Sequence, residues 1–357
     1  MRLNGVLVSI SIILIINAVI TRRELKSYQI NLDLQPEERF LEVYRDFKEQ
    51  IIQVKNHFLR KIPHYLLKLL GLVLSIRNED EELNRELSAL SKYLEIDIIE
   101  IRLLNYMYEL TSIGGVSYLD MCIGVLGADS TGTIYHGRNF DLEAADYLNA
   151  LLFNAHFYKN GKLIFIASMT AGYQGVITGM KPGHFAVSVN TRKYSTLWEK
   201  LNGISNVVYR STPLNTWVVR KGLETVNSYR EMKDILVNHP LSTCIYFILS
   251  GIDKNEGCVI SRDSDKLANL RELEGNRFIV QANSDVWTKP KKDPRRFNAE
   301  NYLKGVELTK ESVFKAITLK GVQVDATIWQ GVMSAKEGYF NSTSPWDSKR
   351  YFDNNLY

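Results

Sequence analysis

Apolar residues follow two different rhythms along the chain. Up to about residue 110 they recur at three- and four-residue steps, and from residue 122 onward they alternate with polar ones. The stretch Pro36-Glu-Glu-Arg-Phe40 predicts a helix start that continues through Leu41, Val43, Phe47 and Ile51. Further helical elements are expected at 63–76, from Glu79 through Leu90, and over 95–109. Beyond Cys122 a tight hairpin is predicted. Residues 123–128 are apolar, Asp129-Ser130-Thr131-Gly132 is turn chemistry, and 133–136 alternate. Asn160-Gly161 supplies the two positive φ angles of a two-residue hairpin. Strands are also expected at 185–189, 245–249, 258–261 and 278–281, with helices returning at 216–237, 296–304 and 311–319. No internal repeat appears, and helices, strands, helices and strands in that order predict a layered α+β body.

Composition changes this picture little. The 357 residues are 45% apolar and 24% charged, which is ordinary for a globular chain, and the net charge of +4 comes without a lysine-arginine run. A nucleic-acid partner is therefore not expected. The N-terminus reads as a targeting signal: a short basic start, an apolar run over 6–20, and a small-residue cleavage site at 16–18. That run is roughly 15 residues, shorter than the about 20 a spanning helix needs, so residues 1–18 are expected to be a signal peptide rather than an anchor. Secretory entry normally favours disulfides. Cys244 and Cys258 flank a predicted hairpin, where they either pair or serve as small buried apolar residues. Cys122 is left over, as a reactive thiol would be.

The candidate chemistry gathers there. Cys122 lies 16 residues before Arg138 and 19 before Asp141, so the hairpin folds a cation and a carboxylate back toward the first residue of the strand. A thiol so placed has its pKa and orientation controlled. None of the six histidines stands in a cysteine-protease context. If the chain is cut at Met121–Cys122, the new α-amine, with an ordinary pKa near 8, can act as the base instead.

Other blocks extend the pattern: 28–40, 171–179, 256–263, Val280-Gln-Ala-Asn283-Ser-Asp-Val-Trp287 and Asp293-Pro-Arg-Arg296. Together with the hairpin they resemble the acid ceramidase and N-acylethanolamine-hydrolysing acid amidase family, cysteine members of the N-terminal-nucleophile hydrolases. The choloylglycine hydrolases are more distant relatives. The resemblance implies an αββα sandwich made of a helical alpha subunit, 19–121, and a catalytic beta subunit, 122–357, which stay together as a heterodimer. It implies that Arg138 binds near the thiol and the substrate carbonyl, that Asp141 orients the new amine, and that Arg296, 13 residues past Asn283, is a second active-site arginine. Asn283 ends an apolar strand, where its amide can donate to a developing oxyanion. No cofactor and no metal are called for.

The chain also departs from the family. Residues 114–121 form a longer connection before the cysteine, Ile123-Gly124 follows it in place of Thr-Ser, and Thr191 stands where the family tends to have Glu. From Gln50 to Asn78 there are five basic residues (Lys55, Arg60, Lys61, Lys68 and Arg77) and no acidic one. The apolar segment within it is either an interfacial helix on anionic membrane or a buried core helix. The expected activity is hydrolysis of an N-acylated lipid, ceramide or N-acylethanolamine, by a lysosomal or secreted amidase. The alternatives are a choloylglycine-type hydrolase of another acyl amide and a catalytically silent lipid-binding relative. Asn341-Ser-Thr is a single glycosylation sequon.

Overall fold

In a computed structural model of the chain, residues 22–60, 62–75, 80–114, 122–193, 197–208, 212–275, 277–287 and 294–346 are described. The expected signal segment, Met121 and most of the 114–121 connection lie outside them, as do Lys61 and Arg77. Two strands, β1 (Arg23–Glu24) and β2 (Ser27–Asn31), precede four helices: α1 (Leu41–Leu59), α2 (His64–Ser75), α3 (Glu81–Leu94) and α4 (Ile98–Gly114). Then come β3 (Ile123–Ala128), β4 (Ile134–Asp141), α5 (Ala145–Leu148), β5 (Leu152–Lys159), β6 (Lys162–Thr170), β7 (Thr178–Lys181) and β8 (Phe185–Thr191). Three helices follow, α6 (Leu197–Val208), α7 (Asn215–Thr225) and α8 (Tyr229–Asn238), and then β9 (Ile245–Ser250), β10 (Gly257–Arg262), β11 (Leu267–Glu272) and β12 (Phe278–Gln281). The chain closes with α9 (Arg295–Lys304), α10 (Lys310–Thr318), β13 (Thr327–Ser334) and β14 (Tyr339–Ser344).

Among the described residues the strands form two sheets, ordered β1-β14-β13-β4-β3-β12 and β11-β10-β9-β8-β7-β6-β5-β2. The period of two along β3 and β4 decides which residues meet which layer. Ile123, Val125 and Tyr135 face outward onto Val313 and Ile317 of α10, while Leu126 and Ile134 face inward onto Tyr246 and Ile248. Gly124 and Gly137 lie where a Cβ would press on Ile248 and Val313 respectively, so each lets a neighbouring layer come close. Helices α7 and α8 cover the outer face of the larger sheet, against β6, β7, β9 and β10. The order helix, sheet, sheet, helix is the expected αββα sandwich.

The N-terminal segment is not purely helical, as its spacing suggests. Five residues of alternating exposure, Ser27–Asn31, pair in parallel with β5, and Arg23–Glu24 pairs with β14. A five-residue polar-apolar strand is too short to stand out beside long helical repeats. Two helices also differ from expectation. Residues 36–38 form a 3₁₀ turn before α1, and Val226 turns extended to split 216–237 into α7 and α8, the latter capped by Ser228 accepting from the Glu231 amide. All three cysteines are buried and none is in a disulfide, so Cys244 and Cys258 behave as small core residues.

The helical segment is fastened to the body by a buried ion pair. The Arg220 guanidinium of α7 donates to both oxygens of Glu86 on α3 at 2.6 Å, and both side chains are fully buried. It also donates to Glu224 at 3.0 Å and lies 4.6 Å from the Trp217 ring. At the edge of this cluster Glu82 accepts from Arg39 and Lys221. Burial pushes Glu82 up, but those two hydrogen bonds outweigh it and hold the carboxyl at about 2.

Arg220→Ala leaves buried Glu86 with only the longer 3.4 Å contact from Arg39, and should cost about 3 kcal/mol of stability, read from urea unfolding. A loss below about 1 kcal/mol would mean the site takes up water. Glu82 has a folded pKa below its unfolded value of about 4.3, so its contribution is present above that pH and lost as pH falls through about 2. Glu82→Gln should therefore flatten the decline in melting temperature between about pH 4 and about pH 2 relative to the parent chain.

Candidate active site

The β3–β4 hairpin is built as its turn residues dictate. The Asp129 carboxylate accepts from the backbone of Thr131 and Thr133 at 2.9 and 2.8 Å, and Gly132 takes φ of +84°. The register that follows sets Gly124 opposite Arg138 and Ile123 opposite Asn139. Even-numbered residues of both strands face the other sheet, so Cys122, His136, Arg138 and Phe140 share the inter-sheet side. Asp141 has the opposite parity and faces the helical layer, where α9 begins.

Around the thiol the contacts are specific. Cys122 is buried, and Arg138 donates from Nη2 to its Sγ at 3.6 Å. The Arg138 guanidinium is itself fully buried, donates to Asn190 Oδ1 at 2.9 Å, and lies 5.4 Å from the Phe140 ring. The Cys122 backbone N–H donates to Asn283 Oδ1 at 2.6 Å. Asn283 in turn donates from Nδ2 to both the carbonyl and the hydroxyl of Thr191 at 3.0 Å, and accepts from Arg295 at 3.2 Å. Arg295 also donates to Asp141 at 2.8 Å. Asp141 is thus linked to the cysteine through Arg295 and Asn283. His136 sits between Ser188 and Ser250 at 2.8 and 3.2 Å. Burial, and after it the charge of Arg138, push its pKa down to about 3, so the imidazole stays neutral.

Of the residues expected at the site, Cys122, Arg138, Asp141 and Asn283 come together. Arg296 does not join them. It lies along α9 with Nε 3.8 Å from Glu300 and its guanidinium 5.1 Å from the Phe297 ring. Its neighbour Arg295 makes the contacts instead. Consecutive helical residues point about 100° apart, so only one of the pair can face Asp141, and an offset counted along the sequence cannot tell which. Asn283 presents its carbonyl oxygen to Cys122 and its NH₂ to Thr191. Three participants were not singled out as site residues from the sequence: Arg295, Asn190 and Thr191. Thr191 was visible only as a departure from the family pattern. Asn190 carries no sequence signal of its own, since it sits in an apolar strand as a lone amide.

Beside the site lies a cavity of about 110 Å³ with an apolar wall. Ile51, Val54 and Phe58 of α1 and Leu104, Met107 and Tyr108 of α4 form one side. Phe140, whose ring lies 5.4 Å from the Arg138 guanidinium, and Leu142 also line it. Among the described residues no group of three or more His, Cys, Asp or Glu could hold a metal ion.

A cysteine at the head of an inner strand of an αββα sandwich, with an arginine on its sulfur, is the arrangement of the cysteine N-terminal-nucleophile hydrolases. Comparison with known proteins narrows the class. Residues 23–76 match a family model described as the beta subunit of N-acylethanolamine-hydrolyzing acid amidase, so that label falls on the N-terminal segment. The chain is 30% identical to N-acylethanolamine-hydrolyzing acid amidase of Mus musculus, over 87% of its own length and 86% of the relative's. It is 29% identical to acid ceramidase of Homo sapiens, over 88% and 85%. A solved structure of the Caenorhabditis elegans N-acylethanolamine-hydrolyzing acid amidase ortholog superposes with a TM-score of 0.55 at 30% identity, covering 60% of this chain and 93% of that one. The chain belongs to the family of N-acylethanolamine-hydrolyzing acid amidase and acid ceramidase, a family of amide hydrolases.

The two adjacent arginines give a direct test. Arg295→Ala removes the bridge between Asp141 and Asn283 and should lower turnover by roughly two orders of magnitude, the cost of displacing a reacting group by about 1 Å. Arg296→Ala should stay within about threefold of the parent. Equal losses in the two variants would show that the contacts of Arg295 are incidental.

Proposed function

We propose that the chain hydrolyses the amide bond of an N-acylated lipid, with Cys122 as nucleophile after cleavage at Met121–Cys122 divides it into the 19–121 and 122–357 fragments. The observation that carries this is the thiol itself, buried beside a cationic side chain whose neighbouring ring, Phe140, lines an apolar cavity. Sγ attacks the carbonyl carbon while its proton passes to the Cys122 α-amine. The C–N bond breaks, the amine leaves with that proton, and the acyl group remains as a thioester. Water then attacks the thioester, gives its proton to the α-amine, and releases the fatty acid as the thiol re-forms.

Arg138 places a positive charge against the sulfur throughout. Asn283 Oδ1 holds the Cys122 N–H in the uncut chain, and we assign it the same hold on the α-amine after cleavage. The oxyanion role expected from sequence would need the amide to turn over. Asp141, through Arg295, fixes that amide from the helical side. Ceramide and N-acylethanolamine both satisfy this chemistry. The secretory signal and the acid-amidase relatives support a lysosomal or secreted location.

A membrane surface as the source of substrate is supported by α2, which exposes Tyr65, Leu66, Leu69 and Leu72, and by Leu201 and Ile204 exposed on α6. No described helix is long and apolar enough to cross a membrane. The basic backing expected from sequence is thinner than it reads, because Lys55 lies 3.4 Å from Glu100 of α4. The side chain of Lys68 lies outside the described residues.

Purified protein held at acidic pH should split into two fragments, the second beginning at Cys122 by intact mass, and should then release fatty acid from an N-acyl lipid. Cys122→Ala should remain one chain and inactive. A second fragment with a different first residue, or an active Cys122→Ala, would remove the α-amine mechanism. For the membrane, Leu69→Ser with Leu72→Ser should weaken sedimentation with anionic vesicles several-fold, as each buried methylene contributes about 0.8 kcal/mol, while hydrolysis of a soluble short-chain amide persists.

A further inference from the structure

We propose that Arg192 is a positioning residue of the active site, holding the Asn283 turn in register with Cys122 by clamping Asp285. This rests on the reading of Cys122 as nucleophile and extends it to a residue outside the catalytic contacts. The C-terminal end of β8 grips the turn after β12 at three successive positions. Asn190 donates from Nδ2 to the Gln281 carbonyl at 3.0 Å while accepting from Arg138. Thr191 takes both hydrogen bonds from the Asn283 amide. Arg192 donates from Nε and Nη2 to the two oxygens of Asp285 at 2.8 and 3.1 Å.

The clamp is braced from every side. Arg192 Nη1 reaches Asp263 and, at 3.2 Å, the Arg262 carbonyl, both at the end of β10. Tyr246 of β9 donates its hydroxyl to Asp285 at 2.6 Å. The half-exposed Trp287 lies 5.7 Å from the guanidinium, which is itself largely buried. Asn283 is therefore fixed at its own side chain by Thr191 and two residues later by a bidentate ion pair. A planar fork is required for that geometry, and a lysine cannot supply it.

The test is Arg192→Lys, measured alone and in an Asn283→Ala background. Expected alone is a fall in kcat of about tenfold to a hundredfold, the size of a small misplacement of a reacting group, with KM within about twofold because the acyl cavity is lined by other residues. In the Asn283→Ala background the same change should cost less than about twofold, since the group it positions is gone. Asp285→Asn should reproduce the kcat loss, and it carries the test if Arg192→Lys fails to fold. Unchanged kcat in folded Arg192→Lys, or an equal loss in both backgrounds, overturns the positioning role. A wild-type protein that hydrolyses no acyl amide overturns the functional reading instead. In that case the rate of Cys122 alkylation by iodoacetamide, resolved by mass spectrometry, decides. A rate shifted by Arg192→Lys and Asp285→Asn but not by Arg296→Ala supports the clamp, and a rate equal to wild type in the first two overturns it.

Discussion

A guanidinium buried between two β-sheets needs polar partners close by, and Arg138 is the one around which this site is arranged. Removing such a charge from water costs several kcal/mol, which only close polar partners and a polarisable sulfur can offset. The partners come from separate layers: Asn190 from the facing sheet, Cys122 from the neighbouring strand, and the Phe140 ring from two residues along its own. Because Asn190 also grips the Gln281 carbonyl, the contacts of one buried cation bring together β3, β4, β8 and the end of β12. Cys122, the group that holds its nitrogen, and the charge beside its sulfur are then placed by one requirement.

The second layer of organisation comes from strand parity. Arg138 and Asp141 are three residues apart and so lie on opposite faces of β4. One serves the sulfur directly, and the other works from the helical side through Arg295 and Asn283. The two faces meet at Cys122 because it stands at the strand end, where the sheet no longer separates them.

Much of this was legible beforehand. The Asp-Ser-Thr-Gly turn and the apolar run before it settle the hairpin register, and with it the distance from Cys122 to Arg138. The long helices of residues 41–114 announce themselves by spacing. What escaped was decided by tertiary contact. Arg295 and Arg296 are chemically identical, and only the phase of α9 chooses between them. Asn190 and Thr191 matter because of what lies across the sheet interface. Ser27–Asn31 is a strand because β5 offers an edge, and nothing in five residues of mixed polarity says so. The sequon Asn341 illustrates the same limit: it lies half-buried on β14, its amide 3.3 Å from the Tyr339 hydroxyl.

One outermost described strand of each sheet, β1 and β2, comes from the first ten described residues, one added beside β14 and the other beside β5. A sheet edge is a row of unpaired amides and carbonyls that will accept any extended chain, including a second copy of itself. In this fold one edge of each sheet is covered by a segment that would belong, after the proposed cut at Met121–Cys122, to a different polypeptide. The N-terminal piece is then more than a wall of the apolar cavity. It also supplies a strand to each sheet, covering the β14 and β5 edges that the rest of the chain would otherwise leave open.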